Sequence, residues 1–145
     1  MTSKQLDNLV KIGQLKPHSP TVNEFNGLIE FGLTRLKDAQ HPTISLYGRF
    51  DLAYNAAHSL ALAALWWHGF RSENRYLVFQ TLVHTVNLSA AKTRVFSKAH
   101  TARNAAEYEG VFEIDDKLTS ELLNAAIHLN DLVQSLGKSE NFSEV

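Results

Sequence analysis

The chain has 145 residues, of which 44% are hydrophobic and 20% charged, and its formal net charge is −1. This length and composition predict one globular domain with a sizeable core and exclude an intrinsically disordered chain. A net charge near zero excludes a whole-surface polyanion binder, so any nucleic-acid site must be a local patch. The absence of cysteine excludes disulfide bonds and thiolate chemistry.

Neither the N-terminus nor any internal stretch reads as a targeting or membrane segment. Residues 1–6 lack the apolar run of a signal peptide. The most apolar stretch, from Ala56 to Trp67, is too short to span a bilayer and is interrupted by His58. We therefore expect a cytoplasmic protein. We expect no cofactor and no metal site, because compact metal-binding motifs are absent and the seven histidines are dispersed.

Apolar residues recur at helical spacing in the first half of the chain. A capping box at Thr21 predicts the start of a helix that ends at the His41-Pro42 pair. Its predicted apolar face consists of Phe25, Leu28, Ile29, Gly32, Leu33 and Leu36. A long helix is predicted from about Thr43 to Trp67, with Gly69 as its end.

Three more helices are predicted in the second half. Ser72–Asn74 begins a short helix, Ser89 caps the next one, and Asp115 opens the last, which ends at Gly137. The pattern predicts an all-α, antiparallel bundle of five or six helices that forms a single domain over residues 1–145. We expect residues 1–18 and 138–145 to be loosely ordered.

The long helix carries a line of polar side chains on an otherwise apolar surface. At about 100° per residue these side chains lie within one narrow arc. An unpaired buried polar group costs about 1–3 kcal/mol, so the line must face partners, water or a ligand. Two interpretations stay open, a hydrogen-bond network that fixes the packing of the bundle and a binding site. The line consists of Asp51, Tyr54, Asn55 and His58.

A second polar group follows successive turns of the helix that Ser89 caps. Arginine can hold a phosphate with two parallel hydrogen bonds, and histidine has a pKa suited to acid–base work. Because each group needs polar partners, we predict that the two face one another. The alternative is an ordinary Arg103–Glu107 ion pair along the helix. The members of this group are His100, Arg103, Asn104, Glu107 and Tyr108.

Charge is unevenly distributed along the second half of the chain. No acidic residue occurs from Asn74 to Ala106, and acidic residues predominate from Glu107 to Glu121. One end of the bundle can therefore present a positive surface to phosphates. The alternative is that these charges pair across neighbouring helices. The basic residues of the acid-free stretch are Arg75, Lys92, Arg94, Lys98 and Arg103.

Residues 103–110, Arg-Asn-Ala-Ala-Glu-Tyr-Glu-Gly, resemble the signature helix of HEPN domains. In that helix an arginine and a polar residue, usually asparagine, precede a histidine one to two helical turns later. The stretch Tyr54–Leu65, followed by His68-Gly69-Phe70-Arg71, is similar to the long central helix of an uncharacterised HEPN-like group. The resemblance covers about Gly48 to Gly110 and implies the HEPN-like helical fold.

The resemblance also implies a function. Active HEPN domains are metal-independent endoribonucleases that generally work as dimers, often beside a nucleotidyltransferase antitoxin. By resemblance Arg103 would bind the phosphate, and Asn104 would be the polar residue after it. Tyr108 stands where the histidine is expected, and a tyrosine with a pKa of about 10 is a poor base at neutral pH. His58 and His100 remain as candidate substitutes.

The leading interpretation is a homodimeric, RNA-binding or weakly RNA-cleaving component of a prokaryotic toxin–antitoxin or stress-response system. One alternative is a non-catalytic module that docks a nucleotidyltransferase, and another is an enzyme acting on a small nucleotide. Trp66, Trp67 and Phe70 are expected to be exposed and to supply apolar area to the dimer. The candidate catalytic residues are Arg103, Asn104, Tyr108 and His58, and the candidate binding residues are Asp51, Tyr54, Asn55, His100 and Glu107.

Overall fold

The computed structural model describes residues 4–139, and helices dominate that range. The helices are α1 (Lys4–Lys11), α2 (Val22–Ala39), α3 (Leu46–Trp67), α4 (Arg75–Gln80), α5 (Leu82–Thr85), α6 (Ala90–Glu109) and α7 (Asp116–Ser139). Two short strands, β1 (Lys16–Pro17) and β2 (Phe70–Arg71), pair in antiparallel orientation. The predicted all-α helical bundle is confirmed.

Side-chain caps define where the helices begin. At the start of α2 the Thr21 hydroxyl accepts from the Glu24 amide, and the Glu24 carboxylate accepts from the Thr21 amide, so the predicted capping box is confirmed. Ser45, Asn74 and Ser89 cap α3, α4 and α6, each with a side-chain oxygen that accepts from the backbone amide three residues later. These caps satisfy amide groups that have no partner inside their own helix.

α3 lies at the centre of the bundle. It packs most extensively on α2 and α7, and it also contacts α4, α5 and α6. α2 runs antiparallel to α3, because Arg49 donates to the carbonyl of Ala39 at one end while the Phe25 and Trp67 rings lie 5.4 Å apart at the other. The buried apolar side chains form one core around α3. Within residues 4–139 no helix has the length and apolarity needed to cross a membrane.

Residues 4–18, which we expected to be loosely ordered, form α1 and β1 and bury Leu6 and Leu15. β1 pairs with β2, which directly follows α3, so this segment is tied to the end of the central helix. Of residues 138–145, which we also expected to be loosely ordered, 138 and 139 continue α7, and the others lie outside the described residues. Spacing alone could not reveal β1 or β2, because two residues are too few to show alternation.

Three smaller expectations were wrong. Gly137 lies inside α7 rather than ending it, because the backbone there does not adopt the left-handed conformation of a glycine cap. Leu33 is 40% exposed, because the buried stripe of α2 runs through Phe25, Gly32, Leu36 and Ala39. Phe70 is only 7% exposed, because its strand folds back against α3. Trp66 and Trp67 are half-buried and do not form an open apolar surface.

Candidate functional site

The polar line of α3 meets α6 at the Tyr54 side chain. The Tyr54 ring is fully buried, and its hydroxyl lies 2.8 Å from Nδ1 of His100. The two rings stack with 6.1 Å between their centroids. The prediction that the polar line faces α6 is therefore confirmed at this position. Burial raises the pKa of Tyr54, so the hydroxyl stays protonated at neutral pH.

His100 connects Tyr54 to Asn104 along α6. The Asn104 amide donates to Nε2 of His100 over 3.1 Å, one turn away on the same helix. With that amide orientation, neutral His100 carries its proton on Nδ1 and donates it to the Tyr54 oxygen. Burial lowers the pKa of His100, and the charges of Arg103 and Arg75 lower it further. His100 is therefore neutral at neutral pH, with both ring nitrogens engaged.

Two guanidinium groups lie beside the Tyr54 ring. The Cζ atom of Arg103 is 5.2 Å from the ring centroid, and that of Arg75 is 5.6 Å from it, both within cation–π range. Arg75 also donates to the side-chain oxygen of Asn55 over 3.1 Å. We refer to the side chains Tyr54, Asn55, His58, Arg75, His100, Arg103 and Asn104 as the Tyr54 cluster.

Arg103 is only partly satisfied by its neighbours. Its Nη1 lies 3.4 Å from the Asn104 oxygen, a long hydrogen bond, and its buried Nε has no partner among the described residues. No ion pair joins Arg103 to Glu107, the alternative considered above, and the Glu107 carboxylate accepts from the Tyr47 hydroxyl of α3. An arginine held between neutral groups keeps most of its capacity to bind an anion.

His58 lies one turn further along α3, against the edge of the Phe79 ring. Burial lowers its pKa to about 4, and the charges of Arg75, Arg103 and His100 add to that effect. Its buried Nε2 has no hydrogen-bond partner among residues 4–139. A histidine with this pKa is unprotonated at neutral pH, so His58 is a poor general acid.

Tyr47 is a further polar contact between the two helices, and the sequence analysis missed it. Its hydroxyl donates to Oε2 of Glu107 over 2.7 Å. Burial, together with the Glu107 hydrogen bond, raises the pKa of Tyr47 to about 12. Tyr47, Asp51, Tyr54 and His58 follow one another at helical spacing, so extending the polar line by one turn would have found it. The negative charge of Asp51 also raises the pKa values of Tyr47 and Tyr54, by less than burial does.

Tyr108 does not join the cluster. Its side chain is 74% exposed, and no hydrogen bond or ring contact links it to another described residue. The Tyr54 cluster therefore contains six of the nine predicted site residues. Glu107 and Asp51 act on Tyr47 instead, and Tyr108 lies outside. Val111 and Phe112, which follow the end of α6, are 42% and 57% exposed.

A shallow groove between α4 and α6 extends the Tyr54 cluster across the surface. Tyr76 is 47% exposed, and its ring centroid lies 5.8 Å from that of His100. Arg94 and Lys98 also line this groove, and neither makes an ion pair with a described residue. These two cations are therefore not neutralised across neighbouring helices, the alternative considered from the sequence. We refer to the surface of Tyr76, Arg94, Lys98 and Thr101 as the α4/α6 groove.

The cluster and the groove together form an arrangement suited to anions. Two arginines lie beside the cluster's buried tyrosine, two more cations line the groove, and Tyr76 offers a ring for stacking. Within residues 4–139 no group of three His, Asp or Glu side chains is close enough to hold a metal ion.

No protein-family model, curated protein or solved structure matches the chain. The geometry of the Tyr54 cluster and of the α4/α6 groove is therefore the basis on which a function is proposed.

Proposed function

We propose that the protein is a HEPN-like, RNA-binding component of a prokaryotic toxin–antitoxin or stress-response system, with weak metal-independent ribonuclease activity at most. The observation that carries the proposal is the pair of guanidinium groups, Arg75 and Arg103, beside the buried Tyr54 ring. Each donates to an asparagine oxygen and neither to a carboxylate. No ion pair with a described residue therefore neutralises either guanidinium, and both can bind an anionic ligand. The resemblance implies the same role for Arg103.

The α4/α6 groove supports an extended polyanion rather than an isolated phosphate ion. Arg94 and Lys98 lie one turn apart on the exposed side of α6, whereas Arg103 projects from the opposite side of that helix, towards Tyr54. A single strand of RNA can lie along the groove with its phosphates beside Arg94 and Lys98. Exposed Tyr76 stands at the edge of the groove, where a base can stack on its ring.

Weak cleavage follows from the state of the candidate proton carriers. His58 is buried and unprotonated at neutral pH, and Tyr108 points away from the cluster. Neutral His100 can accept a proton only at Nε2, where the Asn104 amide already donates. A general base must reach the hydroxyl that it deprotonates, so His100 would first have to give up that hydrogen bond. The cluster is therefore better arranged for phosphate binding than for fast proton transfer.

A homodimer belongs to the same proposal. The resemblance implies that the two Arg103 helices approach one another. Tyr108, Val111 and Phe112 are exposed at and just beyond the end of α6, so they offer apolar area next to those helices. The same surface favours a second candidate function, a module that docks a nucleotidyltransferase and binds no RNA.

RNA cleavage by the purified protein, with and without EDTA, tests the proposal. We expect little or no cleavage by the wild type, no effect of EDTA, and loss of any cleavage in Arg103→Ala. Arg103→Lys should restore little, because an ammonium cannot reproduce the planar fork of a guanidinium. Arg35→Ala on α2 is the control and should match the wild type. Neither cleavage nor salt-sensitive RNA binding in the wild type would leave the docking module as the better account.

A further inference from the structure

A separate cavity lies at the junction of α1, the two strands and the end of α3. Its volume is about 230 Å³, and its lining includes Lys16, Leu62, Trp66, Arg71, Ser72 and Glu73. None of these residues belongs to the Tyr54 cluster. The cavity is smaller than the roughly 300–1,000 Å³ of most ligand pockets, so it is too small for a nucleotide. In liquid water that volume corresponds to roughly eight molecules, the size of one ring with a short polar arm.

Two cations stand side by side at this cavity. Lys16 and Arg71 are direct partners in the β1–β2 ladder, and directly opposite residues of a ladder project from the same face. Like charges in this position repel one another. Neither side chain makes an ion pair or hydrogen bond with another described residue. An anion placed between them would relieve the repulsion and engage both groups.

Glu73 limits the charge of that anion. Its carboxylate also lines the cavity, so the lining carries two positive charges and one negative charge. A carboxylate with a single negative charge neutralises the net charge of this lining, whereas a phosphate dianion would leave an excess negative charge next to Glu73. The charges of the lining therefore favour a carboxylate over a phosphate.

The remaining wall of the cavity is apolar and aromatic. Leu62 and Trp66 are one turn apart on α3, so their side chains lie next to each other. The ring of His18 lies 4.5 Å from the Trp66 ring, and the His18 amide donates to the carbonyl of Gly69 over 2.8 Å. The indole therefore packs against a residue whose backbone is hydrogen-bonded next to the end of α3, which limits the movement of both rings. A fixed indole beside a leucine is a suitable surface for an aromatic ring.

We propose that this cavity binds a small aromatic carboxylate. The ring of the ligand lies against Trp66 and Leu62, and its carboxylate pairs with Lys16 and Arg71. This site is independent of the proposed RNA-binding function, since it shares no residue with the cluster or the groove.

Nuclear magnetic resonance of the Trp66 indole N–H tests the proposal. The chain has two tryptophans, so the Trp67→Phe variant leaves a single indole signal to follow. Phenylacetate and 4-hydroxybenzoate should each shift this signal saturably at millimolar concentration. Phenylacetamide, which has nearly the same shape without the charge, should bind about tenfold more weakly, as the loss of a charge-assisted hydrogen bond implies. Inorganic phosphate should produce no saturable shift.

Variants of exposed cations provide the matched comparison. In the Trp67→Phe background, Arg71→Gln should weaken phenylacetate binding about tenfold, whereas Arg94→Gln on α6 should leave it unchanged. Both are surface substitutions, and the dispersion of the spectrum verifies that each variant is folded. Three results would each overturn the proposal: no saturable shift with either carboxylate, equal affinity for phenylacetamide, or unchanged affinity in Arg71→Gln.

Discussion

Tyr54 and His100 connect the middle of α3 to the middle of α6 through a hydroxyl–imidazole contact of 2.8 Å. The contact lies between a fully buried ring and a half-buried one, and Arg103 lies beside the same tyrosine. The hydrogen bond that fixes the packing of the two helices therefore also fixes the position of the candidate site. The two interpretations of the polar line, a structural network and a binding site, are compatible in one arrangement.

Removing the Tyr54 hydroxyl should destabilise the fold. Tyr54→Phe deletes the partner of His100 Nδ1 inside the bundle, so we expect a loss of about 1–2 kcal/mol in the free energy of unfolding. Urea denaturation followed by circular dichroism measures it. Tyr76→Phe removes a hydroxyl from an exposed ring and should change stability by less than about 0.5 kcal/mol. Equal stability of the two variants would mean that the Tyr54–His100 contact contributes nothing.

His58 should make the stability of the protein depend on pH. Its folded pKa of about 4 lies below the ordinary value of 6.5, so the unfolded chain takes up a proton first as the pH falls. The stabilisation is complete above about pH 6.5 and is lost as the pH falls towards 4, by up to about 3 kcal/mol. His58→Gln should show a flatter stability profile between these limits, measured by urea denaturation at each pH. His128→Gln, at an exposed position of α7, is the control and should keep the slope of the wild type.

The sequence predicted the helices of this fold better than their detailed ends. Capping residues such as Thr21 and Ser89 act locally, so their effect can be predicted from neighbouring residues. The burial of Leu6 and Phe70 depends on the β1–β2 pairing, which joins residues far apart in the chain. No local pattern indicates such a contact.

The candidate site was predictable on α3 and α6, including the facing of their polar groups at Tyr54 and His100, but not in its contribution from α4. Helical spacing correctly grouped Tyr54 with His58, and His100 with Asn104. Arg75 reaches the site from α4, and the helix that carries it is too short to show a periodic pattern. Tyr108 is exposed, because Glu107 is the residue that meets Tyr47 of α3 and the next side chain projects about 100° further round α6. Spacing gives an angle around a helix, but it does not show which angles the neighbouring helix covers.

Two glycines on α2 provide a matched test of the α2–α3 packing. A Cβ atom at Gly32 would lie 2.7 Å from Cγ of Leu60, whereas one at Gly27 would meet nothing within 4 Å. Gly32→Ala should therefore destabilise the protein by about 1–3 kcal/mol through overpacking. Gly27→Ala should stabilise it by up to about 1 kcal/mol through helix propensity. Thermal denaturation of both variants measures these changes in stability. A stabilised Gly32→Ala would contradict the close approach of the two helices.

The apolar residues near the end of α6 should mediate self-association. We expect the wild type to be a dimer by light scattering at micromolar concentration, and the double variant Tyr108→Ser/Phe112→Ser to be a monomer. The double variant Ile12→Ser/Phe31→Ser removes exposed apolar side chains elsewhere and should remain dimeric. A monomeric wild type would contradict the proposed homodimer. A dimer that persists in Tyr108→Ser/Phe112→Ser would show that the interface lies elsewhere.

The salt dependence of RNA binding tests the central claim most directly. Fluorescence anisotropy of a labelled single-stranded RNA gives Kd over a range of salt concentrations for the wild type and for Arg75→Gln/Arg103→Gln. The account predicts that wild-type binding weakens steeply with salt and that the double variant binds more weakly. Its slope of log affinity against log salt should be smaller by about 1.4, since each phosphate contact on a single strand contributes about 0.7. Arg35→Gln/Lys37→Gln on α2 should retain the wild-type slope, with circular dichroism verifying that all variants are folded. Wild-type binding that does not respond to salt, or an unchanged slope in Arg75→Gln/Arg103→Gln, would contradict the assignment of the Tyr54 cluster as a phosphate-binding site.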